Sequence, residues 1–289
     1  MKIVSVIVCY FPDVENLRRL CQTIIGSNAA VIIVNNGGSG DFRYSGFKDC
    51  GIISPGENLG VARAQNIGIR KALDEGADIV VFFDQDSSIE AGFLSRLISV
   101  LKKGTPGIAA PVFFDRKEGY EFPSMKLNRL GLFARVYRKD AAQPYEVDAV
   151  ISSGMAVTAK TFEIAGMMDE DFFIDFVDTE WCLRCRRKNV PIHVVPIAEM
   201  RHSVGESSID FGFMRGFIHS PDRSYYKLRN CFLLFRKKHI PFQLAIRETI
   251  SALVHYVALV VFQKNKMEYV KIFLISVWHG FSGVAGKRP

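Results

Sequence analysis

The chain has 289 residues, of which 48% are hydrophobic and 23% are charged, a balance that excludes a disordered protein and predicts a sizeable core. Its net charge is +7, but residues 211–289 hold 13 Lys/Arg against 3 Asp/Glu, whereas residues 1–210 hold 24 against 27. Because the basic character is confined to the C-terminal part, a nucleic-acid-binding surface over the whole protein is disfavoured.

The first 112 residues alternate between segments typical of buried strands and segments with helical spacing. Apolar runs predict strands over residues 4–8, 31–34, 79–83 and 108–112. Apolar residues three and four positions apart predict helices over residues 14–25, 61–75 and 90–102. This order predicts the α/β fold class, with an open, mostly parallel sheet flanked by helices.

The pattern beyond residue 112 starts with a polar, irregular stretch over 113–148. The remaining predicted elements are a strand over 147–159, helices from 161 and over 177–188, and strands at 192–195 and before His202. We therefore predict an α/β domain over residues 1–210, followed by a basic, amphipathic helical region over residues 211–289.

Neither a cysteine zinc site nor a membrane-spanning segment is predicted. Cys182 and Cys185 form a CxxC pair within a predicted helix, and the sequence has no second pair at zinc-ligand spacing. The apolar N-terminus meets Pro12 and lacks a small-residue cleavage site, which predicts a strand rather than a signal peptide. The apolar run that comes closest to a spanning helix, 249–262, has 14 residues, whereas such a helix needs about 20. Reduced thiols in the cytoplasm are the simplest interpretation.

Two carboxylates, Asp84 and Asp86, follow directly after the apolar run IVVFF. Side chains alternate along an extended strand, so both aspartates point to one side while Gln85 points to the other. Neighbouring carboxylates repel each other unless a cation lies between them, and Mg²⁺ or Mn²⁺ prefers oxygen ligands shared with phosphates. The alternative is a surface turn, since this pattern also occurs by chance.

Polar side chains also follow the first two predicted strands. Tyr10 comes after the first, and Asn35 and Asn36 come after the second. Ligands of open α/β sheets bind beyond the carboxyl ends of the strands, so these residues and the two aspartates are expected to share one crevice.

The stretch ENLGVARAQNIG, residues 57–68, carries both small and polar residues along a predicted helix. Tight helix–sheet packing explains the small ones well, namely Ala62, Ala64 and Gly68. It explains the polar ones poorly, namely Asn58, Arg63 and Asn66. A ligand-binding role for the polar set is therefore the competing interpretation.

The chain resembles family 2 glycosyltransferases with the GT-A fold in five motifs and in their order. These motifs are VSVIVCYFPD, IIVNNGGS, ENLGVARAQNIGI, FFDQDS and DEDFFIDFVDTEWCLRCRRKN. Within that family the chain most resembles bacterial rhamnosyltransferases that build surface polysaccharides, and the resemblance covers about residues 3–206. It implies inverting transfer of a sugar from a nucleoside diphosphate, with a metal held by the two aspartates neutralising the leaving diphosphate. It further implies L-rhamnose from dTDP-L-rhamnose as the donor, and a lipid-linked glycan as the acceptor in O-antigen or cell-wall polysaccharide synthesis.

The resemblance assigns donor-binding roles to residues at the motif positions. Nucleobase and ribose contacts fall to Tyr10, Asn35 and Asn36, and diphosphate or base contacts to Asn58, Arg63 and Asn66. Metal binding falls to Asp84 and Asp86, with Asp86 as the direct ligand and Gln85 between them in the donor site. Many relatives have aspartate where Asn35 stands, so thymidine and uridine both stay open.

Inverting transfer needs a general base for the acceptor hydroxyl, and FFIDFVDTEW offers three acids. Asp178 aligns with the family's catalytic acid, and Val177 stands where the preceding glutamate is usual. We predict Asp178 as the base, with Asp175 orienting the acceptor or the sugar. Acids in the first turn of a helix are the alternative explanation for these two and for Glu180.

Three further positions have two interpretations each. His202 is either a third metal ligand, as in related enzymes, or a structural histidine. Residues 152–154 resemble the loop beneath the acceptor site. Arg223 and Arg229 either bind phosphates of the donor or of a lipid diphosphate acceptor, or form a solvated basic helix face.

The apolar and basic segments of the C-terminal region predict helices on an anionic membrane surface, which would place the protein peripherally at the inner face of the cell membrane. A helical oligomer interface, for example in a homodimer, is the alternative. Three other functions are alternatives: a glycosyltransferase with a UDP-hexose donor, a sugar-phosphate nucleotidyltransferase and a nucleic-acid binder. The second lacks the glycine-rich basic loop it would need after the first strand, where the sequence reads CYFPDVEN.

Overall fold

The computed structural model describes residues 1–37, 46–115, 119–138, 141, 143–202, 208–210, 215–217, 220–262 and 266–289. For 202, 208–210, 215–217 and 262 it describes the backbone alone.

The described chain forms an α/β core followed by three helices. The strands are β1 (Ile3–Cys9), β2 (Ala30–Asn35), β3 (Cys50–Ile53), β4 (Ile79–Asp84), β5 (Ile108–Asp115), β6 (Glu121–Phe122), β7 (Ser124–Leu127), β8 (Phe133–Val136), β9 (Tyr145–Val147), β10 (Ala156–Thr158), β11 (Ile192–His202), β12 (Ser208–Asp210) and β13 (Arg215–Phe217). The helices are α1 (Val14–Gly26), α2 (Val61–Asp74), α3 (Phe93–Leu97), α4 (Ala159–Ala165), α5 (Val177–Arg187), α6 (Pro221–Leu234), α7 (Phe242–Phe262) and α8 (Lys266–Ser282).

The main sheet has the strand order β3-β2-β1-β4-β10-β5-β11-β9, with β6 beside β5. Its longer strands pair in parallel, β1 with β2 and β4, and β5 with β11. The short strand β10 is antiparallel to both β4 and β5 and joins the two parallel halves. The predicted α/β class, with a mostly parallel sheet flanked by helices, is confirmed.

The strand order reverses at β1, which positions the ligand crevice. The chain moves from β1 to β2 on one side and returns to β4 on the other. Cys9 pairs with Asn35, and Val8 pairs with Asp84, so the carboxyl ends of β1, β2 and β4 lie at one edge. Ligands of open α/β sheets bind at such a reversal.

Helices cover both faces of the sheet, and α2 lies very close to β1. A Cβ added to Gly68 would lie 2.3 Å from Cγ1 of Val6, so only glycine allows this approach. Ala62 and Ala64 are buried in the same core cluster. Tight packing, the prediction for the small residues of this stretch, is therefore confirmed for all three.

Several predicted elements differ from those observed. The helix predicted over 90–102 is reduced to α3 and a 3₁₀ turn, Ile98–Val100, because Gly92 has a left-handed φ of 77° and delays its start. The irregular stretch after residue 112 contains β6, β7, β8 and β9, whose short polar strands give little apolar alternation. The strand predicted over 147–159 is only β10.

The three C-terminal helices pack on one another. The buried residues Tyr225, Leu228, Tyr256, Leu259 and Ile272 belong to one cluster built by α6, α7 and α8. By length and composition alone, the window Phe242–Val261 of α7 could cross a membrane, which corrects the expectation of a 14-residue run. The helix is longer than the apolar run because it continues through Arg247 and Glu248 to Phe242. Of that window, 33% is buried.

Candidate active site

The site is built where β1, β2 and β4 end. Asp84 is the last residue of β4, and Asp86 follows two residues later in a turn. Both side chains are partly buried. Their place beside the strand reversal puts two carboxylates in the crevice that the sequence predicts.

Gln85, between the two aspartates, is paired with the loop after β1. The Tyr10 backbone N–H donates to Oε1 of Gln85 at 2.6 Å, and Nε2 of Gln85 donates to the Tyr10 carbonyl at 3.1 Å. Asn16 Nδ2 donates to the Gln85 carbonyl at 2.9 Å. Gln85 therefore holds the two loops together, while the ring of Tyr10 stays 52% exposed.

Asn36 and Asn58 form an amide pair that shapes the loop before α2. Asn36 Nδ2 donates to Oδ1 of Asn58 at 3.0 Å, and Oδ1 of Asn36 accepts from the Leu59 N–H at 2.8 Å. Oδ1 of Asn58 also accepts from the Gly60 N–H at 2.9 Å. Asn35 is buried, and its Oδ1 accepts from the Gly37 N–H at 3.3 Å. Both asparagines at the end of β2 thus lie at the crevice, with Asn36 fixing the adjacent loop.

Asn66 and Arg63 face the segment after α4 instead of the aspartates. Asn66 is buried and exchanges hydrogen bonds with the backbone of Met168, at 3.0 and 2.9 Å. Its Nδ2 also donates to Glu170 at 2.8 Å, and Nε of Arg63 lies 3.7 Å from the same carboxylate. Asn66 accordingly connects α2 to this segment, and Asn66 and Arg63 both contact Glu170.

Two adjacent serines connect the end of β4 to α5. Oγ of Ser153 accepts from the Asp84 N–H at 3.2 Å, while the Ser152 N–H donates to Oδ2 of Asp178 at 3.3 Å. Ser153 is buried and also bonds the hydroxyl of Ser87 at 2.9 Å. Gly154 has a φ of 70° and bonds the Phe82 carbonyl, which fixes this loop against β4. The loop thereby places Asp84 and Asp178 beside each other.

Asp178 has an elevated pKa. Desolvation is the largest cause, and the negative charges of Asp84 and Asp175 add to it, while backbone N–H groups of Thr179 and Ser152 oppose it. The result is a pKa of about 6. A carboxylate with a pKa just below neutral is ionised at physiological pH yet basic enough to accept a proton, which suits a general base.

Asp175 lies in a strained turn before α5. Asp175 and Phe176 have φ of 63° and 64°, a left-handed conformation that costs free energy for non-glycine residues. Asn230 Nδ2 donates to the carbonyls of Ile174 and Asp175, at 2.7 and 3.0 Å, and holds this turn in place. Arg223 lies 3.3 Å from Oδ1 of Asp175. The turn aims the first residues of α5 at the crevice.

Glu180, the third acid, lies outside the crevice. Its buried carboxylate accepts from Nε and NH2 of Arg184, both at 2.9 Å, and lies 2.7 Å from Nε2 of His239. Burial raises the pKa of Glu180, but His239 and Arg184 lower it more, so that it lies below its ordinary value. Glu180 therefore has a structural role: it forms an ion pair with Arg184 within α5 and contacts His239 in the loop after α6.

Substitution of Glu180 by glutamine is expected to destabilise the fold by about 3–5 kcal/mol, because it leaves the Arg184 charge buried without its partner. The depressed pKa means that this stabilisation is present above about pH 4.5 and is lost as the pH falls through the folded pKa. Denaturant unfolding at pH 7 measures the loss. Unchanged turnover per folded molecule is also expected, and a catalytic defect without instability would contradict this assignment.

Arg229 is buried completely and binds the end of the chain. Its guanidinium donates to the carbonyls of Val284 and Gly286, at 2.7 and 3.0 Å. Lys287 then pairs with Glu57 at 2.8 Å, and Arg288 pairs with Asp222 at 2.9 Å. We call residues 284–289 the C-terminal strap. Sequence patterns could not reveal it, because its partners lie between 55 and 230 positions away along the chain.

The donor set fits a hard divalent cation. Among the described residues no three His, Cys, Asp or Glu side chains form a ready-made metal cluster. Mg²⁺ and Mn²⁺ commonly use one or two carboxylates and take their other ligands from water and phosphate oxygens, so Asp84 and Asp86 suffice. The mutual repulsion of Asp84 and Asp178 is the observation that a cation here would relieve. The backbone of His202 ends β11, but its side chain lies outside the described part of the chain.

Comparisons with known proteins agree with this geometry. The family model described as "Glycosyl transferase family 2" matches residues 5–162. The chain is 39% identical to "dTDP-rhamnosyl transferase RfbF" of Shigella flexneri, over 98% of this chain and 97% of that protein. Two crystal structures, each 12% identical, share the fold. The first is GalNAc-T7 with UDP, GalNAc and Mn²⁺, with a TM-score of 0.59; the match covers 96% of this chain and 57% of that one. The second is S. aureus TarS 1-349 in complex with UDP-GlcNAc, with a TM-score of 0.60; the match covers 98% of this chain and 82% of that one.

Proposed function

The chain belongs to glycosyl transferase family 2, and from that premise we propose that it transfers L-rhamnose from dTDP-L-rhamnose, with inversion, to a glycan acceptor of surface polysaccharide synthesis. That it is a glycosyltransferase with a GT-A fold follows from the family match and the relative just described. The donor, the stereochemistry, the metal and the acceptor are the finer parts of the proposal.

The observation that carries the mechanism is the junction made by Ser152 and Ser153. Ser153 accepts from the backbone N–H of Asp84, and the Ser152 N–H donates to the carboxylate of Asp178, which supports one crevice for the proposed metal ligand and the proposed base. This is the arrangement that displacement at a sugar phosphate needs, with a proton acceptor and a leaving-group stabiliser in the same site.

In the proposed reaction Asp178 accepts the proton of the acceptor hydroxyl as that oxygen attacks the anomeric carbon. The bond from this carbon to the diphosphate breaks on the opposite face, so the configuration inverts and the nucleoside diphosphate leaves. Asp178 suits the role because its carboxylate is ionised above about pH 6. Asp175 is the residue proposed to orient the acceptor or the sugar.

Asp84 and Asp86 would hold the divalent cation, whose chemistry is to neutralise charge on the leaving diphosphate. Gln85 and Asn16 fix the turn that presents the two carboxylates. The exposed ring of Tyr10 and the buried amide of Asn35 lie at the neighbouring strand ends, which supports them as the nucleobase contacts.

Support for the donor comes from the Shigella relative, which is named a dTDP-rhamnosyl transferase and aligns over nearly the whole chain. A lipid-linked acceptor and a peripheral position at the inner face of the cell membrane are part of the proposal. The exposed apolar residues of α7 and α8 support that position.

A panel of nucleotide sugars tests the donor directly. With Mn²⁺ or Mg²⁺ present, dTDP-L-rhamnose is expected to raise the unfolding midpoint by about 3–6 °C at a hundredfold excess over its Kd, since binding to the folded state alone adds about 2.7 kcal/mol. UDP-hexoses are expected to act only weakly. A strong response to a UDP-hexose with none to dTDP-L-rhamnose would refute the donor assignment and favour a UDP-hexose transferase.

A further inference from the structure

The outer surfaces of α7 and α8 carry an exposed apolar face. Its members are Phe242, Ile246, Ile250, Val254, Val257, Val261, Met267, Val270, Leu274, Trp278 and Phe281. On each helix they recur at intervals of three or four residues, so each set forms a stripe along its helix. We call the two stripes together the outer face.

This face is distinct from the core of the helical region, which lies on the opposite sides of the same helices. Tyr256 of α7 and Ile272 of α8 are buried with Tyr225 and Leu228 of α6. Apolar patches on soluble monomers rarely exceed a few hundred Å², and larger ones mark contact surfaces. The sides of α7 and α8 that face α6 are packed in this core, and their opposite sides still present apolar side chains to solvent.

Cations border the outer face. At about 100° per residue, Lys266 and Lys271 fall on opposite margins of the α8 stripe, and Arg247 falls at a margin of the α7 stripe. All three residues are exposed. Along α7 from Ile250 to Val261, every exposed side chain is uncharged. An apolar centre with a cationic margin matches the acyl and headgroup layers of an anionic membrane.

We propose that the outer face lies on an anionic phospholipid bilayer, with its apolar side chains among the acyl chains and Arg247, Lys266 and Lys271 among the headgroups. Pairing with a second copy of the same face would bring these cations together, whereas anionic headgroups neutralise them. The proposal deepens the proposed function, and its link to a lipid-carried acceptor rests on that function.

The helix α7 lies along this surface and does not cross it. Leu244 and Ala245 are buried against the main core, and Tyr256 and Leu259 are buried in the helical cluster. Crossing the bilayer would strip these side chains from their partners. Trp278 and Phe281, near the C-terminal end of α8, are aromatic residues of the type that prefers the interface.

The membrane-facing hairpin is fastened to the active site through the C-terminal strap. Directly after α8, Val284 and Gly286 bind Arg229, and Lys287 pairs with Glu57, next to the loop of Asn58. The guanidinium of Arg229 also lies over the rings of Tyr225 and Tyr226, at 5.6 and 5.4 Å. Docking of the outer face therefore sets the height of the catalytic crevice above the bilayer.

Tryptophan emission of the full-length protein tests the proposal. Trp181 is buried, whereas Trp278 is 71% exposed, so a blue shift on addition of vesicles reports Trp278 entering lipid. We expect the shift with phosphatidylcholine vesicles that contain phosphatidylglycerol, and a weaker one with phosphatidylcholine alone. Leu274→Glu is expected to lower vesicle affinity by about tenfold or more. Lys266→Glu with Lys271→Glu should remove the preference for phosphatidylglycerol, at about fivefold per lysine.

Ile197→Glu is the matched control, because Ile197 is 58% exposed and Leu274 is 62% exposed, but Ile197 lies in β11 of the main sheet. Equal unfolding midpoints for the variants show that each is folded. Absence of vesicle binding, or equal losses in the Ile197 and Leu274 variants, would overturn the proposal. So would light scattering that shows a dimer dissociated by Leu274→Glu while vesicle binding is unchanged. Vesicle binding needs no donor, so an inactive donor panel would count against the proposed function alone.

Discussion

Replacement of Asp86 by asparagine is expected to lower kcat/KM for sugar transfer by about a thousandfold or more, and Asp84→Asn should act similarly. The leaving group is a diphosphate, whose charge grows as the glycosidic bond breaks. Loss of a carboxylate ligand weakens the cation that neutralises this charge, and each 1.4 kcal/mol of lost stabilisation slows the reaction about tenfold. Initial rates with saturating Mn²⁺ measure the effect.

Glu90→Gln provides the control, because it removes one negative charge from an exposed residue four positions after Asp86. Its activity is expected to match that of the wild type within about twofold. Removal of divalent ions with EDTA should abolish activity in the wild type, and Mn²⁺ should restore it. If the Asp86→Asn enzyme kept about a tenth or more of the wild-type kcat/KM, the assignment of Asp86 as a metal ligand would be contradicted.

The second large effect is expected for Asp178→Asn, with a loss of about 10²–10⁴ in kcat, because an amide cannot take the proton of the acceptor hydroxyl. In the wild type, the carboxylate is active only when ionised. Activity should therefore fall as the pH drops through about 6, the pKa to which burial and the neighbouring acids raise Asp178. A pH–rate profile of kcat/KM between pH 5 and 8 measures this limb.

The stability contributed by Asp178 should depend on pH in the opposite sense to the activity. The folded-state pKa of Asp178 lies above its unfolded value, so its contribution to stability is present below about pH 4 and is lost as the pH rises through about 6. At pH 8 the ionised carboxylate therefore lowers the free energy of unfolding. We expect Asp178→Asn to unfold there at or above the wild-type midpoint, since removal of the charge offsets the loss of one backbone acceptor.

Glu180→Gln is the matched comparison for Asp178→Asn, since the two acids lie two residues apart in α5. The first variant should lose stability and keep its chemistry, and the second should lose chemistry and keep its stability. If Asp178→Asn retained activity, or if its loss were explained by unfolding, another group would have to be the base.

The sequence predicted the fold because its main strands are continuous apolar runs and its helices are amphipathic. The runs before Tyr10, Asn36 and Asp84 stop where polar residues begin, and parallel pairing brings those ends together. The period of the apolar residues is a local signal, so it predicts where each strand ends. The small residues of the stretch 57–68 also indicated close helix–sheet packing, and the structure identifies the strand against which Gly68 packs as β1.

The use of each polar side chain could not be predicted, because it depends on contacts between distant segments. Asn66 and Met168 are 102 positions apart, and Arg229 and Val284 are 55 apart. The sequence alternatives for Arg229 were a phosphate contact or a solvated basic face, whereas the structure buries it beneath the strap. Likewise, nothing local separates Asp178 from Glu180. The difference arises from the Ser152 loop on one side of α5 and His239 on the other.

The most direct test of the account is calorimetric titration of dTDP into the protein with and without Mn²⁺, in the wild type and in Asp86→Asn. We predict that Mn²⁺ tightens dTDP binding by at least about tenfold in the wild type and that this gain disappears in the variant. Equal dTDP affinity with and without Mn²⁺, or an undiminished Mn²⁺ effect in Asp86→Asn, would contradict the claim that Asp84 and Asp86 hold the cation against the diphosphate.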